Sequence, residues 1–539
     1  MLNTLRLFVF GYLCLVCNTT FATMPDELTL EEKVGQLLMV HFNGEEANAE
    51  AQMLIQKAYV GGFIYYNWSN SLHSPQQVAA LSAGLQEIAS HNRSSIPLLI
   101  ATDQEGGVIA RLQPGFTVFP GNKALGMTND PSLAYQSALV MGTELQAVGI
   151  NMTLAPVIDI NSNPHNPVIG VRAYGETPDT VVQFGKQALL GFKQAGIIAC
   201  LKHFPGHGDV TVDSHEALPV VNKSRKELAN SDFFPFALLA PYADTIMTAH
   251  LLVPALDPEH CSTLSKRTIN ILRDEMDFAG VVITDSLVMD GLLNQCTSIE
   301  EAAIQALSAG CDILLLGGKH LVGSHKHLEL SVADVQKVHQ ALVEAVKSGR
   351  LTPERLNQAV TRVLTLKQRY LTKEQRPTIE SSTGLDDINT EAQQALASTI
   401  ATRALRMTKN GQFDTLQQKQ SAIFAPTVIK ADLLPNLSPD RPVHFFDFLA
   451  PTETEIQQAQ VLAMKHEALI IFCYNAWKSP RQIALIKALI AMKKPTALVV
   501  CRDPLDAELF AEVDCMITTY SPTAPSLKAA YSLLTNQSP

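Results

Sequence analysis

The sequence is short of charge, of aromatic rings and of cysteine. Charged residues make up 17% of its 539 positions and aromatic residues 6%. Forty-one Lys and Arg face 52 Asp and Glu, a net charge of −11. No basic tract interrupts that balance, so a nucleic-acid-binding surface has no electrostatic footprint. Nine cysteines in a chain of this length do not make a disulfide scaffold. No CxxC pair occurs among the seven beyond residue 17, which excludes a zinc ribbon or a redox motif there. Those seven lie mostly in apolar runs and read as small buried hydrophobes. Apolar runs long enough to cross a bilayer are also missing. The longest, residues 7–17, falls short of a span. It follows Arg6 and gives way to small and polar residues near Ala22. That pattern reads as a secretory signal over residues 1–23, cleaved near Ala22 or Thr23. A lipoprotein signal at Cys17 is poorly formed, because Cys14 stands where Leu is wanted. The expectation is an exported protein, periplasmic or extracellular, without a membrane span.

What is present is a globular composition, 46% hydrophobic. It is sufficient to bury a large core and excludes wholesale disorder. Short apolar runs recur through the first two thirds: 34–42, 61–66, 97–104, 151–160, 197–204, 243–252, 280–286 and 311–318. Each is rich in Val, Ile and Leu and is followed by a helical stretch. Continuous apolar runs alternating with helices are the mark of a parallel sheet. Eight such units in about 300 residues predict a (β/α)8 barrel over 24–371. A helical stretch, 331–371, completes it. Residues 372–390 are polar, with Pro and Gly, and read as a linker. A helix over 391–407 and five further apolar runs then predict a smaller doubly wound α/β domain, an αβα sandwich, over 391–539. No GxGxxG or P-loop occurs there, so nucleotide binding has no support.

Polar residues gather where the first set of runs ends: Asp103, Asp159, Lys202, His203, His250 and Asp285. The ends of parallel strands are where barrel active sites lie. The densest cluster is KHFPGHGDVTVDSHE, residues 202–216. His203, His207, Asp209, Asp213 and His215 are all metal-ligand types, but Pro205, Gly206 and Gly208 oppose the helix that an HxxxH site needs. A loop-stabilising hydrogen-bond set is a second reading. The third is acid–base chemistry: Asp213 can fix the tautomer of His215 and raise its basicity, and histidine exchanges protons near neutrality.

KHFPGHG followed by DSH, with an Asp in VVITDSLVMDG, resembles the glycoside hydrolase family 3 β-N-acetylglucosaminidases of the NagZ type, in their two-domain form. The resemblance implies that Asp285 is the nucleophile and that His215, oriented by Asp213, is the general acid/base. It implies that Asp103, Arg172, Lys202 and His203 hold the sugar hydroxyls, with Arg111 and His250 as candidates for the site wall. It implies a retaining exo-β-N-acetylglucosaminidase acting on peptidoglycan fragments, with a carbohydrate partner and no metal or organic cofactor. A retaining enzyme needs a carboxylate to attack the anomeric carbon and a proton donor for the leaving oxygen. Lys202 and Arg172 are expected to keep Asp285 ionised, and Gly206 and Gly208 to give the acid/base loop its mobility. A phosphorylase on the same site, a β-glucosidase-like enzyme and a metal-dependent hydrolase are the alternatives.

Overall fold

The structure is a computed structural model describing residues 25–319, 329–371, 384–438 and 440–536. The expected signal segment and most of the linker, 372–383, lie outside the described residues. The eight apolar runs become strands β1 (Leu38–Val40), β2 (Gly62–Tyr65), β3 (Leu99–Thr102), β4 (Met152–Thr153), β5 (Ile198–Phe204), β6 (Thr245–Thr248), β7 (Val281–Ile283) and β8 (Leu314–Leu315). They pair in the order β8-β1-β2-β3-β4-β5-β6-β7. All pairings are parallel. A parallel bridge between Ile283 and Ile313 joins the two ends and closes the barrel. Every strand residue is buried. That is why these strands read as unbroken apolar runs: one face fills the barrel and the other meets helices.

The helices follow from capping and spacing. Helix Pro178–Gln194 opens on a proline and buries Val181, Phe184, Ala188, Leu189 and Phe192, three or four residues apart. The stretch expected as one helical segment, 331–371, is two helices, Val332–Lys347 and Pro353–Tyr370. Gly349, at a φ of +78°, turns the chain between them, and Pro353 starts the second.

The second sheet holds β9 (Arg406–Asn410), β10 (Ser421–Pro426), β11 (Val443–Phe446), β12 (Ala468–Cys473), β13 (Thr496–Val500) and β14 (Cys515–Thr518). Its order is β9-β14-β13-β12-β10-β11. Two separate apolar clusters pack against it, one built on Ile423, Ile470, Val499 and Ile517, the other on Phe424, Ile471, Leu498 and Met516. Alternate residues of each strand thus feed opposite layers, which makes an αβα sandwich. β9 was not foreseen: helix Glu391–Ala404 ends three residues before the expected 407, and an antiparallel edge strand follows it. Its residues Arg-Met-Thr-Lys-Asn are half-exposed or exposed, so no apolar run announces it. The bridging helix packs on both domains, and Arg403 pairs with Asp130 of the barrel at 2.9 Å. No helix among the described residues is long and apolar enough to cross a membrane. Of the described cysteines all are free and all but the half-buried Cys296 are buried.

Candidate active site

The C-terminal ends of the barrel strands surround a cavity of about 340 Å³. Asp103, Arg111, Arg172, Lys202, His203, His215 and Asp285 all line it. Asp213 does not line it but stands directly behind His215.

Its floor is a buried ionic net. Lys202 Nζ lies 3.1 Å from Asp103 Oδ1 and 2.7 Å from Glu105 Oε1. Arg172 grips Glu105 in a fork, Nε to Oε2 at 3.0 Å and Nη2 to Oε1 at 2.8 Å. Arg111 Nη2 reaches Asp103 Oδ2 at 3.1 Å. Three cations therefore face two carboxylates. Burial works to raise the Asp103 carboxyl, but Lys202 and Arg111 hold it far below the usual carboxylate range. Burial is likewise outweighed at Glu105 by Arg172 and Lys202, and at Lys202 by Glu105 and Asp103, so both carboxylates and Lys202 stay charged. Such a net presents fixed donors and acceptors to hydroxyl groups without reorganising. Glu105 was missed by the sequence reading. Its signal was alternation: Asp103 and Glu105 are two apart at a strand end and so face the same way.

Asp159 organises the histidines. Its Oδ2 lies 2.7 Å from His203 Nδ1, and its Oδ1 accepts the backbone N–H groups of His203 at 3.1 Å and His207 at 2.7 Å. The His203 ring thus donates through Nδ1 and turns Nε2 toward Arg172, 3.5 Å away. The His207 ring bonds to Ser214 Oγ at 3.0 Å. Burial, with the neighbouring His203 charge, brings its pKa down to about 4, so it is neutral at physiological pH.

The loop beyond carries the dyad. Asp213 Oδ1 lies 2.8 Å from His215 Nδ1 and accepts the His215 backbone N–H at 2.9 Å. Burial works to lower the His215 pKa. The Asp213 bond and charge, with the charge of Asp285, outweigh it and raise the ring above its ordinary value. The side chain is 41% exposed, open to an incoming group. The two glycines upstream sit where no side chain fits. A Cβ on Gly208 would collide with the Ile160 backbone, and Gly206 sits at a φ of +130° against Asp232.

Asp285 lies two residues past the end of β7, and its Oδ1 accepts the Ser286 N–H at 2.7 Å. Burial works to raise its carboxyl. His250, His203 and His215, with the Ser286 N–H, hold it below the usual value. The cations expected to do this, Lys202 and Arg172, are committed to Asp103 and Glu105. His250 is fully buried behind the cavity wall, its Nε2 donating to Ser286 O at 2.9 Å. It steadies the Asp285 segment and does not line the cavity.

The mouth adds an aromatic platform that the sequence did not single out. Trp68 stacks on Tyr66 with centroids 4.9 Å apart, and Lys319 Nζ sits 3.9 Å over the Trp68 ring. The second domain borders the same side: Trp477 meets His165 edge-on at 5.9 Å, and the charges of Asp213 and Glu216 reach Lys478. The five ligand-type residues of the 202–216 cluster do not converge. Asp209 pairs with Lys223 at 3.1 Å, and no group of three or more His, Cys, Asp or Glu among the described residues is arranged around a metal position.

Known proteins resemble this chain in sequence and in fold. The chain is 32% identical over 430 residues to beta-hexosaminidase A of Pseudoalteromonas piscicida, across 73% of this chain and 69% of that one. It is 34% identical over 304 residues to a beta-hexosaminidase of Pseudomonas aeruginosa, across 56% of this chain and 86% of that one. A family 3 beta-N-acetylglucosaminidase structure from Paenibacillus sp. str. FPU-7 superposes with a TM-score of 0.83 at 37% identity, covering 95% of this chain and 97% of that one. Residues 29–366 match the N-terminal domain of glycosyl hydrolase family 3, so this chain belongs to that family and is a glycoside hydrolase.

Proposed function

We propose that the protein is a retaining exo-β-N-acetylglucosaminidase that removes terminal N-acetylglucosamine from peptidoglycan fragments. The observation that carries the proposal is one cavity lined by both Asp285 and His215, each felt in the ionisation of the other. Asp285, ionised at the rim of a strand, attacks the anomeric carbon and forms a glycosyl ester. His215 Nε2 gives its proton to the departing oxygen, then takes one from water to release the sugar. Its proton affinity above the ordinary value favours the charged ring for the first step, and Asp213 stabilises that charge. The Asp103–Glu105–Lys202–Arg172–His203 net holds the hydroxyls of the sugar undergoing attack.

Amino-sugar specificity is supported by the beta-hexosaminidase relatives. An acidic aglycone, such as a lactyl-bearing muramic residue, is favoured by Trp68 with Lys319 above it and by Arg111. Export belongs to the same proposal and rests on the apolar segment at residues 7–17.

A 5-fluoro N-acetylglucosaminyl donor tests the reading. The expected outcome is a stable adduct on the peptide containing Asp285, with product released in the β configuration. An α product, or label elsewhere, overturns it. Turnover that requires phosphate and yields the sugar 1-phosphate would identify a phosphorylase instead.

A further inference from the structure

We infer a second, anion-binding site at the opposite end of the barrel, built from Lys266, Arg273, Arg350, Arg355 and Arg362 and suited to a phosphate group. Asp312 lies just before β8, where the strands begin, and is fully buried. Three guanidinium groups converge on its carboxylate: Arg273 Nη2 at 2.7 Å, Arg355 Nη2 at 2.9 Å and Arg362 Nη1 at 3.1 Å. One carboxylate balances one cation, so two remain in surplus. These arginines open, with Lys266 and Arg350, onto a cavity of about 370 Å³. Glu301 matches Arg350 at 2.8 and 2.9 Å, and Glu354 is the one carboxylate among the described residues of the lining. Five cations therefore meet three carboxylates, on a protein whose net charge is −11.

Part of the cluster is a clamp. Arg273 Nη1 donates to Phe278 O and Gly280 O, and Arg355 Nε to Leu307 O, which ties down the loops under the barrel. A clamp accounts for those bonds but not for an open concavity lined by like charges. Arg355 Nη1 is buried and has no hydrogen-bond partner. Burial lowers the proton affinity of Arg273; Asp312 opposes this, while the repulsion of Arg362 and Arg355 adds to it, and a bound anion relieves that repulsion. Planar guanidinium forks match tetrahedral oxyanions, and the cavity leaves room beside a phosphate for an ester substituent. The source is free phosphate or a phosphodiester-linked chain.

Isothermal titration of the full-length protein with inorganic phosphate, at constant ionic strength, tests the site against Lys266→Glu and Arg362→Gln. Lys266 is exposed, so its replacement leaves the fold intact. The expected result is saturable binding that weakens about tenfold or more in both variants, with turnover of an aryl N-acetylglucosaminide unchanged in Lys266→Glu. A midpoint of unfolding that rises with phosphate only in the unsubstituted protein is the second readout. No saturable binding, or equal binding by all three proteins, overturns the site; the latter places phosphate at the catalytic mouth. Tighter binding of a poly(glycerol phosphate) oligomer than of inorganic phosphate identifies the polymer as the source, and the reverse order identifies the free ion.

Discussion

Both domains are built on sheets that are parallel throughout or in all but one edge strand, with polar residues past the strand ends, yet the two ends are electrically opposite. At the barrel mouth Asp103, Glu105 and Asp159 each have a cation or imidazole within bonding distance, Asp285 feels three imidazoles and accepts the Ser286 N–H, and all four pKa values are lowered. Past β13 of the second domain, Asp503 and Asp506 are buried and their pKa values are raised. Asp506 reaches about 6: burial leads, and only backbone N–H groups and the Cys473 thiol oppose it. Burial alone therefore does not make a reactive carboxylate. A supply of countercharge decides whether it stays ionised for chemistry or drifts toward neutrality as a structural group.

Removing the best-compensated groups has the largest consequences. Asp285→Ala is expected to lower kcat/KM on an aryl N-acetylglucosaminide by roughly 10⁴-fold or more, read by steady-state kinetics. Activity within tenfold of normal would end its role as nucleophile. His215→Ala is expected to cost about 10²–10⁴-fold with poor leaving groups and much less with activated ones. Asp213→Asn removes the influence that raises His215. In the proposed mechanism protonated His215 is needed for the first step, so activity is lost as pH rises through its pKa. The substitution moves that alkaline limb to lower pH, whereas the acid limb, set by the depressed pKa of Asp285, stays in place. A pH–rate profile with an unmoved alkaline limb would break the dyad.

Glu105→Gln strips the barrel net of the carboxylate shared by Arg172 and Lys202. A fall in kcat/KM of roughly 30- to 100-fold, mostly through KM, is expected, with a loss of about 3 kcal/mol of stability measured by denaturant unfolding. The smallest effect lies in the second domain and has the opposite sign. Asp506→Asn keeps the acceptor for the Trp477 backbone N–H, 2.9 Å away, and removes the charge. The folded pKa is raised, so the penalty is fully present above about pH 6 and fades as pH falls toward the unfolded value near 4. Stabilisation of up to about 3 kcal/mol at pH 7, absent at pH 4, is the expected result by thermal unfolding, with kcat/KM unchanged. Destabilisation at pH 7 would show that Asp506 is compensated after all.

The barrel was legible because residues buried on both faces must be apolar, and eight such runs at regular spacing admit few topologies. The edge strand β9 was not, because an edge exposes its side chains and needs no apolar pattern. Asp103, Lys202, His203 and Asp285 were legible as polar residues at the ends of apolar runs, and His215 from the dense polar cluster over 202–216. Glu105, in a stretch reading Asp-Gln-Glu-Gly-Gly, was not singled out. Its partners lie 67 and 97 positions away, and only folding reveals them. The same non-locality hid the Trp68–Lys319 platform and reversed the expectation about what holds Asp285 ionised.

Asp159 fastens the His203 ring and the amides of both His203 and His207, and the His207 ring in turn fastens Ser214, next to Asp213. In the proposed roles, the sugar-facing imidazole and the proton-delivering one thus hang from a single carboxylate. Recognition and timing cannot drift apart in such a design: a substitution that re-aims one imidazole re-aims the other. Efforts to give this scaffold a new sugar preference will have to rebuild both ends of that tether together.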